Sequence, residues 1–307
     1  MKPKIAISHK EYLIHQKNAF FRYLTKPDYP IDIHSGRTIT EFVALADKCR
    51  SIGLSVIPYH QIRKCLESGE NVLKFGKTDI NTDILELSRY PNIKSEWNLN
   101  NLEKVLDWYH YVQSERRIWN FFLDRKEDLY LLRQLFSQYG SLFIKTKMKG
   151  FSGTYKSFER FLKNLPYFSL LAEESKDILV SEVMELKSIE TEHFPNKQIQ
   201  TDEWRHYIYQ DKLITSSHAF DCDERRTDNS GYRNHVRKAR QMMEIFSHSH
   251  FASTYVLDTG TLKDGTVGVI EINPFFSSGL YNKQAIELIA LALAETVEYM
   301  VFPNVKS

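Results

Sequence analysis

The sequence predicts an α/β (α+β) protein in which an N-terminal α/β and helical region, residues 1–140, precedes a strand-rich module, residues 141–307. Its 307 residues, 42% hydrophobic and 26% charged, are typical of a globular chain with more than one subdomain. Residues 42–52 have the apolar spacing of a helix, and Gly53 and a strand-like run over 54–58 follow directly, as in an α/β unit. Two β-rich runs on either side of Asp264 and Gly265 predict a hairpin.

Local periodicity predicts the other elements. A short strand is expected over residues 5–8, a linker or loop-rich subdomain over 71–100, and helix over 102–139. In the second half we expect strands at 141–148 and 178–186, with a flexible turn at 150–153 between them. Residues 204–215 alternate like a strand pair around Gln210 and Asp211.

Composition excludes several classes of protein. Lys and Arg number 41 against 39 Asp and Glu, so the net charge of +2 implies neither a nucleic-acid nor a membrane partner. The three cysteines, Cys49, Cys65 and Cys222, are far apart and form no CxxC pair, which argues against a disulfide framework or a structural zinc site. No apolar run approaches the length of a membrane span or of a signal peptide. We therefore expect a cytoplasmic protein.

The predicted hairpin contains a candidate metal site. If Asp264 and Gly265 form a two-residue type I′ turn, Asp258 lies directly opposite Glu271, and Asn273 follows on the same face. Opposed carboxylates repel, so this pair requires a compensating cation, and three oxygen ligands on one face suit Mg²⁺.

The alternative is that both carboxylates are solvated on an ordinary hairpin. Three valines are predicted on the same face: Val256, Val267 and Val269. They argue against this alternative because they indicate that the face is covered.

A second candidate element carries positive charge. Lys145 lies in the middle of the strand at 141–148, Lys147 shares its face, and a glycine-bounded loop from Gly150 to Gly153 follows. Backbone N–H groups of such a loop can approach phosphates, to which a lysine supplies a point charge. Alternatively, both lysines protect an exposed strand edge from aggregation.

The order of these motifs resembles the ATP-grasp superfamily. A strand, lysine and glycine loop are followed by the strand at 178–184, by Glu203-Trp204-Arg205, and by Asp258 with Glu271-Ile272-Asn273-Pro274. The motifs span residues 142–281, about half of the chain, and the hairpin with its Asp…Glu-x-Asn pattern is the most specific of them. The resemblance implies an ATP-grasp fold, with two α+β subdomains enclosing the nucleotide.

The resemblance also implies roles for particular residues. The residues that would contact ATP are Lys145, Lys147, Gly150, Ser152, Gly153, Glu182, Val183 and Glu203. Among these, Lys145 would contact a phosphate, Glu182 and Val183 would form the hinge that reads adenine, and Glu203 would lie near the ribose or the hinge. Asp258, Glu271 and Asn273 would hold one or two Mg²⁺ ions.

The sequence departs from the ATP-grasp pattern at three places, one of which is a longer spacing from Glu182 to Glu203 than compact ligases have between the hinge and the ribose contact. Many members have an arginine two residues before the first metal-binding aspartate, where this chain has Val256. Candidates to replace it are Arg205, Lys283 and an arginine between residues 225 and 240. Arg205 and Lys145 are the two residues that we predict to be catalytic. The first lysine of the family has no clear match, and its candidates are Arg116, Arg117 and Arg125.

Candidate substrate-binding residues lie in two segments. Arg225 and Arg226 begin a basic stretch that extends to residue 240. One or two arginines of this stretch would bind an acidic substrate through paired hydrogen bonds. Alternatively, the stretch forms a solvated helix face. Ser277, Ser278 and Gly279 follow the predicted metal strand, where ATP-grasp enzymes hold the substrate carboxylate or its attacking amine.

These features predict an ATP- and Mg²⁺-dependent ligase that joins a carboxylate to an amine, or to a thiol, through an acyl-phosphate. The expected substrates are small molecules or peptides, and a homodimer is possible. Two alternatives use the same cleft: an ATP-binding assembly chaperone of the ATP-grasp-like type, and a small-molecule kinase.

Overall fold

The computed structural model describes most of the chain in thirteen ranges. They are residues 3–7, 44–57, 61–75, 87, 89–94, 108–112, 116–146, 152–171, 177–189, 200–219, 230–249, 251–280 and 283–299. These ranges form a mixed α/β structure built on three four-stranded sheets.

The N-terminal sheet is parallel and has the strand order β2-β1-β3-β4. Its strands are β1 (Lys4–Ile7), β2 (Val56–Ile57), β3 (Val72–Phe75) and β4 (Ile93–Lys94). Helix α1, described over residues 44–51, precedes β2, and helix α2 (Ile62–Glu67) precedes β3. Gly53 has a φ of +85° and ends α1, which confirms the predicted joint between helix and strand.

Strand β3 corrects the prediction of a loop-rich segment over residues 71–100. All four residues of β3 are buried, and the strand lies between β1 and β4. Lys74, which is 3% exposed, interrupts the apolar run in the sequence. A central strand of a parallel sheet is buried on both faces and shows no alternation, so the pattern gave little indication of it.

The second sheet is antiparallel, with the order β5-β8-β6-β7. It consists of β5 (Ile118–Phe122), β6 (Leu142–Thr146), β7 (Ser152–Tyr155) and β8 (Asp177–Glu182). Helices α3 (Lys126–Tyr139) and α4 (Phe158–Leu171) pack on it. Because β5 pairs with β8, this sheet begins upstream of residue 141.

Two sequence predictions for this region are wrong in part. The continuous helix expected over residues 102–139 is instead a 3-10 helix (Trp108–Tyr111), strand β5 and helix α3. The turn expected at 150–153 does not include Ser152 and Gly153, which belong to β7 and pair with Lys145 and Ile144.

The third sheet is antiparallel, with the order β12-β11-β13-β14. Its strands are β11 (Glu203–Tyr209), β12 (Lys212–His218), β13 (Tyr255–Thr261) and β14 (Val267–Pro274). A small two-stranded ladder, β9 (Ser188–Ile189) with β10 (Gln200–Thr201), precedes it. Gln210 and Asp211 both have positive φ and close the predicted strand pair β11–β12.

Helices cover both faces of the third sheet. Helix α5 (Ser230–His248) packs on one face, and helix α6 (Lys283–Tyr299) packs on the other. A single hydrophobic cluster joins α6 and the N-terminal sheet, where Phe75 makes edge-to-face contacts with Phe275 and Phe276 at centroid distances of 6.4 and 6.3 Å. Within the described part of the chain, no helix has the length and apolar character needed to cross a membrane.

The hairpin β13–β14 has the predicted pairing but a different turn. Asp258 lies opposite Glu271, as predicted. The turn, however, has three residues, Lys263 to Gly265, because Leu262 donates its N–H to the Thr266 carbonyl and accepts a hydrogen bond from Gly265, whose φ is +87°. A bulge at Ile270 adds one residue to β14 and restores the register at Glu271.

The bulge also reverses the predicted positions of two valines. Thr259 pairs with Val269, and Thr261 pairs with Val267, so these valines lie on the face opposite the carboxylates. Val256 remains on the carboxylate face, where it is fully buried.

Candidate active site

Three predicted residues form a row across the third sheet. Arg205 on β11 lies opposite Asp258 on β13, which in turn lies opposite Glu271 on β14. Arg205 donates two hydrogen bonds to Asp258, from Nε at 2.7 Å and from Nη2 at 2.6 Å. Asn273 donates from Nδ2 to Asp258 Oδ2 at 2.9 Å and to Glu271 Oε1 at 3.0 Å. The four side chains therefore form one connected polar group.

Lys145 reaches this row from the second sheet. Its Nζ lies 3.0 Å from Glu271 Oε2, and the residue is only 8% exposed. The same ammonium lies 5.2 Å from the centroid of the Trp108 ring. Burial excludes the alternative that Lys145 protects an exposed strand edge. The predicted lysine and the predicted carboxylate pair thus meet between the second and third sheets, in a region that we call the cleft.

The carboxylates carry their own counter-charges in this arrangement. Lys145 pairs with Glu271, and Arg205 pairs with Asp258. The compensating cation that the sequence argument required is therefore supplied, at least in part, by protein side chains.

Glu203 lies on the same face of β11 as Arg205, two residues away. Burial raises the pKa of the Glu203 carboxyl, the Thr201 hydroxyl opposes this by donating a hydrogen bond, and the negative charges of Asp258 and Glu271 raise the pKa further. Glu203 therefore belongs electrostatically to the acidic group, and a cation placed there would lower its pKa.

The three side chains predicted to bind Mg²⁺ lie together, because Asn273 donates from Nδ2 to both carboxylates. Asp258, Glu271 and Asn273 offer two carboxylates and one amide, the donor types that Mg²⁺ prefers. No group of three or more His, Cys, Asp or Glu side chains among the described residues is arranged to hold a metal ion. The residues therefore fit an ion that also takes ligands from bound phosphates, and not an ion held by the protein alone.

The predicted hinge connects the two sheets. Glu182 ends β8, and Val183 begins a segment that reaches the hairpin, where Lys187 donates its N–H to the Thr261 carbonyl at 2.8 Å and Glu185 accepts from the Lys263 N–H at 2.9 Å. A Cβ at Gly260 would lie 2.6 Å from Leu186 Cδ2, so the hinge lies directly over β13.

The side chain of one of the three candidate arginines reaches this region. Arg116 donates hydrogen bonds to the carbonyl of Ile270 at the bulge and to the sulfur of Met184 in the hinge. Arg117 contacts the Tyr139 hydroxyl, and Arg125 stacks on Phe122 at 3.8 Å. The side chain of Arg116 thus contacts both the hinge and β14, whereas Arg117 contacts the hinge through its backbone N–H, 3.5 Å from Glu182 Oε2.

The predicted substrate segment follows β14 directly. The Ser278 hydroxyl donates to the Pro274 carbonyl at 2.7 Å, which fixes the turn after the strand. The Gly279 carbonyl accepts from Arg205 Nη1 at 3.1 Å and from the Tyr207 hydroxyl at 2.8 Å. Arg205 therefore joins the carboxylate row to this segment. Ser277 ends the 3-10 turn at residues 275–277, and its side chain lies outside the description.

Several predicted residues lie outside the described ranges: Lys147, Gly150, Arg225 and Arg226. In the described part of the basic stretch, Arg233, Arg237 and Arg240 are exposed on α5, as expected for a solvated helix face.

Comparison with known proteins identifies the family. The model of the ATP-grasp domain, R2K clade family 2, matches residues 114–291, which is more than half of the chain. The chain belongs to the ATP-grasp family. No curated protein sequence matches this ATP-grasp protein.

Solved structures with the same fold are distant in sequence. A D-cycloserine synthetase, DcsG, is similar with a TM-score of 0.56 at 12% identity, over 84% of this chain and 95% of that one. D-alanyl-alanine synthetase A from Vibrio cholerae gives 0.54 at 11% identity, over 98% and 100%. D-alanine–D-alanine ligase from Bacillus anthracis, complexed with ATP, gives 0.52 at 11% identity, over 98% and 100%. These likenesses establish the ATP-grasp fold.

A histidine network behind the ATP-grasp cleft was not predicted. His206 Nε2 and His235 Nδ1 both contact the Thr259 hydroxyl, at 2.9 and 2.7 Å. His235 Nε2 contacts the Thr261 hydroxyl, which donates to Asp202 Oδ2 at 2.6 Å. Because Thr259 and Thr261 alternate with Asp258 along β13, this network holds the strand from the α5 side. The two histidines lie on different elements, β11 and α5, and leave no spacing pattern in the sequence.

Proposed function

We propose that this ATP-grasp protein is an ATP- and Mg²⁺-dependent ligase that joins a carboxylate to an amine, or to a thiol, through an acyl-phosphate intermediate. The observation that carries the proposal is the contact between Lys145 and Glu271 across two sheets, beside the buried Arg205–Asp258 pair. This cleft has the charges that a triphosphate and its metal ion need. Family membership and the synthetases and ligases of the same fold support the same class of reaction.

The chemistry requires positioning and charge, and no protein nucleophile. Mg²⁺, when bound by Asp258, Glu271 and Asn273, would neutralise charge between phosphates. Lys145 would exchange its contact with Glu271 for a nucleotide phosphate. Arg205, fixed by Asp258 and by the Gly279 carbonyl, would stabilise charge on the acyl-phosphate next to the substrate segment.

The proposal also assigns residues to the binding of the nucleotide and of the substrates. The hinge at Glu182 and Val183 would bind adenine, and Glu203 would lie near the ribose. Ser277, Ser278 and Gly279, with Arg225 and Arg226, would bind small-molecule or peptide substrates. We propose a cytoplasmic location for the protein.

Calorimetric titration with ATP, with and without Mg²⁺, tests the nucleotide site. Wild type is expected to bind ATP in a Mg²⁺-dependent manner, and Glu271→Ala is expected to weaken that binding. Glu298→Ala, which removes an exposed carboxylate on α6, serves as the control and should bind like wild type. No binding by wild type under either condition would refute the nucleotide site.

A substrate screen for ADP release then tests the reaction. An amide or thioester with free phosphate is the expected product. A stable phospho-product would instead indicate a kinase, and a tight protein partner without any turnover would indicate an assembly chaperone.

A further inference from the structure

Trp108 is a buried aromatic residue beside the cleft with no role assigned so far. It begins the 3-10 helix (Trp108–Tyr111), upstream of the residues that match the family model, 114–291. The residue is 3% exposed and belongs to the same hydrophobic cluster as Leu179, Val269 and Ile272. Its ring is thus fixed by packing against two sheets.

Two cations lie over this ring. Lys145 Nζ is 5.2 Å from the ring centroid, and the Arg116 guanidinium carbon is 5.6 Å away. The tryptophan face is the most favourable aromatic partner for a cation, and the attraction is strongest where water is excluded. Both conditions hold here.

The Lys145 ammonium needs a contact with a rigid group to fix its position. Lysine carries its charge on a flexible four-carbon stem, so a strand alone does not fix where the charge lies. In the present arrangement Glu271 holds the ammonium at 3.0 Å and Trp108 limits its movement. If a metal ion takes Glu271, the ring still limits the movement of the ammonium.

Arg116 extends the same arrangement to the hinge. Its guanidinium donates hydrogen bonds to the Ile270 carbonyl, next to Glu271, and to the sulfur of Met184. One indole ring therefore contacts both the lysine of the second sheet and the arginine that joins the hinge to β14.

We propose that Trp108 is a positioning residue that holds the Lys145 ammonium at the nucleotide phosphates through a cation–π contact. The proposal rests on the proposed function, because the contact of Lys145 with nucleotide belongs to it. Trp108 itself touches no reacting atom; it acts through Lys145.

NMR tests the contact without any nucleotide. In protein labelled at lysine, the ε-methylene protons of Lys145, assigned with Lys145→Met, should be shifted upfield by the ring current of Trp108. Trp108→Leu should remove this shift. A Lys145 signal at the ordinary lysine position in wild type would overturn the proposal.

ATP binding tests the positioning role. Trp108→Leu should weaken Mg-ATP binding about tenfold, the equivalent of about 1.4 kcal/mol, and Trp108→Phe should retain most of the affinity. In the Lys145→Met background, Trp108→Leu should cause no further loss. Equal losses in both backgrounds, or no loss in wild type, would overturn the proposal. Trp119→Leu, which removes the half-buried tryptophan of β5, is the matched control.

Fluorinated tryptophans at position 108 keep the proposal testable if Trp108→Leu does not fold. Added fluorines weaken the ring's attraction for a cation but nearly preserve its shape, so affinity for Mg-ATP should fall stepwise with their number. A flat series would overturn the proposal. Absence of ATP binding by wild type would overturn the proposed function as well, and the NMR measurement would separate that failure from a missing contact.

Discussion

Arg205 joins the carboxylate row to the predicted substrate segment through three hydrogen bonds. Its guanidinium holds Asp258 through two hydrogen bonds and the Gly279 carbonyl through a third. The Arg205 and Asp258 side chains are 8% and 11% exposed, so each depends on the other for charge compensation. An arginine at position 256 would have to occupy the core, where Val256 is fully buried. Placing the guanidinium on the neighbouring strand solves this packing problem.

Removing the arginine should therefore destabilise the whole fold. Arg205→Met leaves the Asp258 carboxylate buried without its partner, and we expect the free energy of unfolding to fall by about 3–5 kcal/mol in urea denaturation. Arg205→Lys should lose less, since it keeps the charge but not the paired geometry.

The control for this change is Arg240→Met, which removes an exposed arginine from α5 and should alter the stability by less than about 0.5 kcal/mol. A similarly small effect of Arg205→Met would show that Asp258 finds another counter-charge.

Among the elements, the hinge depends on glycines in the hairpin beneath it. A Cβ at Gly260 would lie 2.6 Å from Leu186 Cδ2 and 2.9 Å from Ile270 Cδ1, closer than packed side chains allow. At Gly268 the nearest atom is the flexible end of Met184, at 3.0 Å. The hairpin can therefore lie under the hinge only where side chains are absent.

Gly260→Ala should displace Leu186 and with it the hinge backbone. We expect a loss of about 1–3 kcal/mol in the free energy of unfolding, together with weaker ATP binding, because the proposed adenine contacts lie in the same segment. Gly268→Ala should cost less, since Met184 can move. Equal effects of the two substitutions would contradict this account of the hinge.

The histidine network gives the third sheet a dependence on pH. Burial lowers the pKa of His206 to about 3, and the neighbouring His235 adds to the decrease. Burial alone would raise the pKa of Asp202, but the imidazoles of His218 and His235, whose Nε2 atoms lie 3.3 and 3.8 Å from its carboxylate, and the hydrogen bond from Thr261 hold it well below its usual range. The folded state thus resists protonation at both residues.

The sign of the effect follows from the unfolded state. An unfolded His206 takes up a proton below about pH 6.5, whereas the folded one does so only near pH 3. The free energy of unfolding should fall by about 1.4 kcal/mol per pH unit across that interval, and Asp202 adds to the loss below about pH 4. His206→Gln should reduce the slope in thermal unfolding, and His248→Gln, at an exposed position, should leave it unchanged.

At the level of the whole molecule, the N-terminal sheet shares its core with the third sheet and helix α6. Phe75 on β3 contacts Phe275 and Phe276, which directly follow β14. Helix α6 also contributes to this cluster. The N-terminal unit thus supports the substrate segment from behind.

Phe75→Ala should therefore destabilise both parts together. We expect a loss of about 3–5 kcal/mol, with a single unfolding transition that shifts equally for tryptophan fluorescence and for far-ultraviolet circular dichroism. Two separate transitions would show that the N-terminal unit unfolds on its own.

The charged residues of the cleft could be predicted from the sequence. The pairing of Asp258 with Glu271 was predicted from a two-residue turn, and it holds because the third turn residue and the bulge at Ile270 compensate each other. Lys145 could be found because it lies within an apolar strand. Trp108 could not be found in this way, since its contacts depend on the packing of two sheets. Two strands were also missed: β3, which is buried on both faces, lacks alternation, and in β5 the apolar spacing of Ile118, Phe121 and Phe122 fits a helix as well as a strand.

The bulge at Ile270 has a consequence for how this hairpin evolves. A three-residue turn alone would place Glu271 one position out of register with Asp258, and the extra residue at Ile270 compensates. Loss of either feature alone would turn the Glu271 side chain to the face covered by α5. Insertions and deletions between Asp258 and Glu271 are therefore expected to survive only in compensating pairs. Homologues whose turn length differs by one residue should carry a matching change at the bulge.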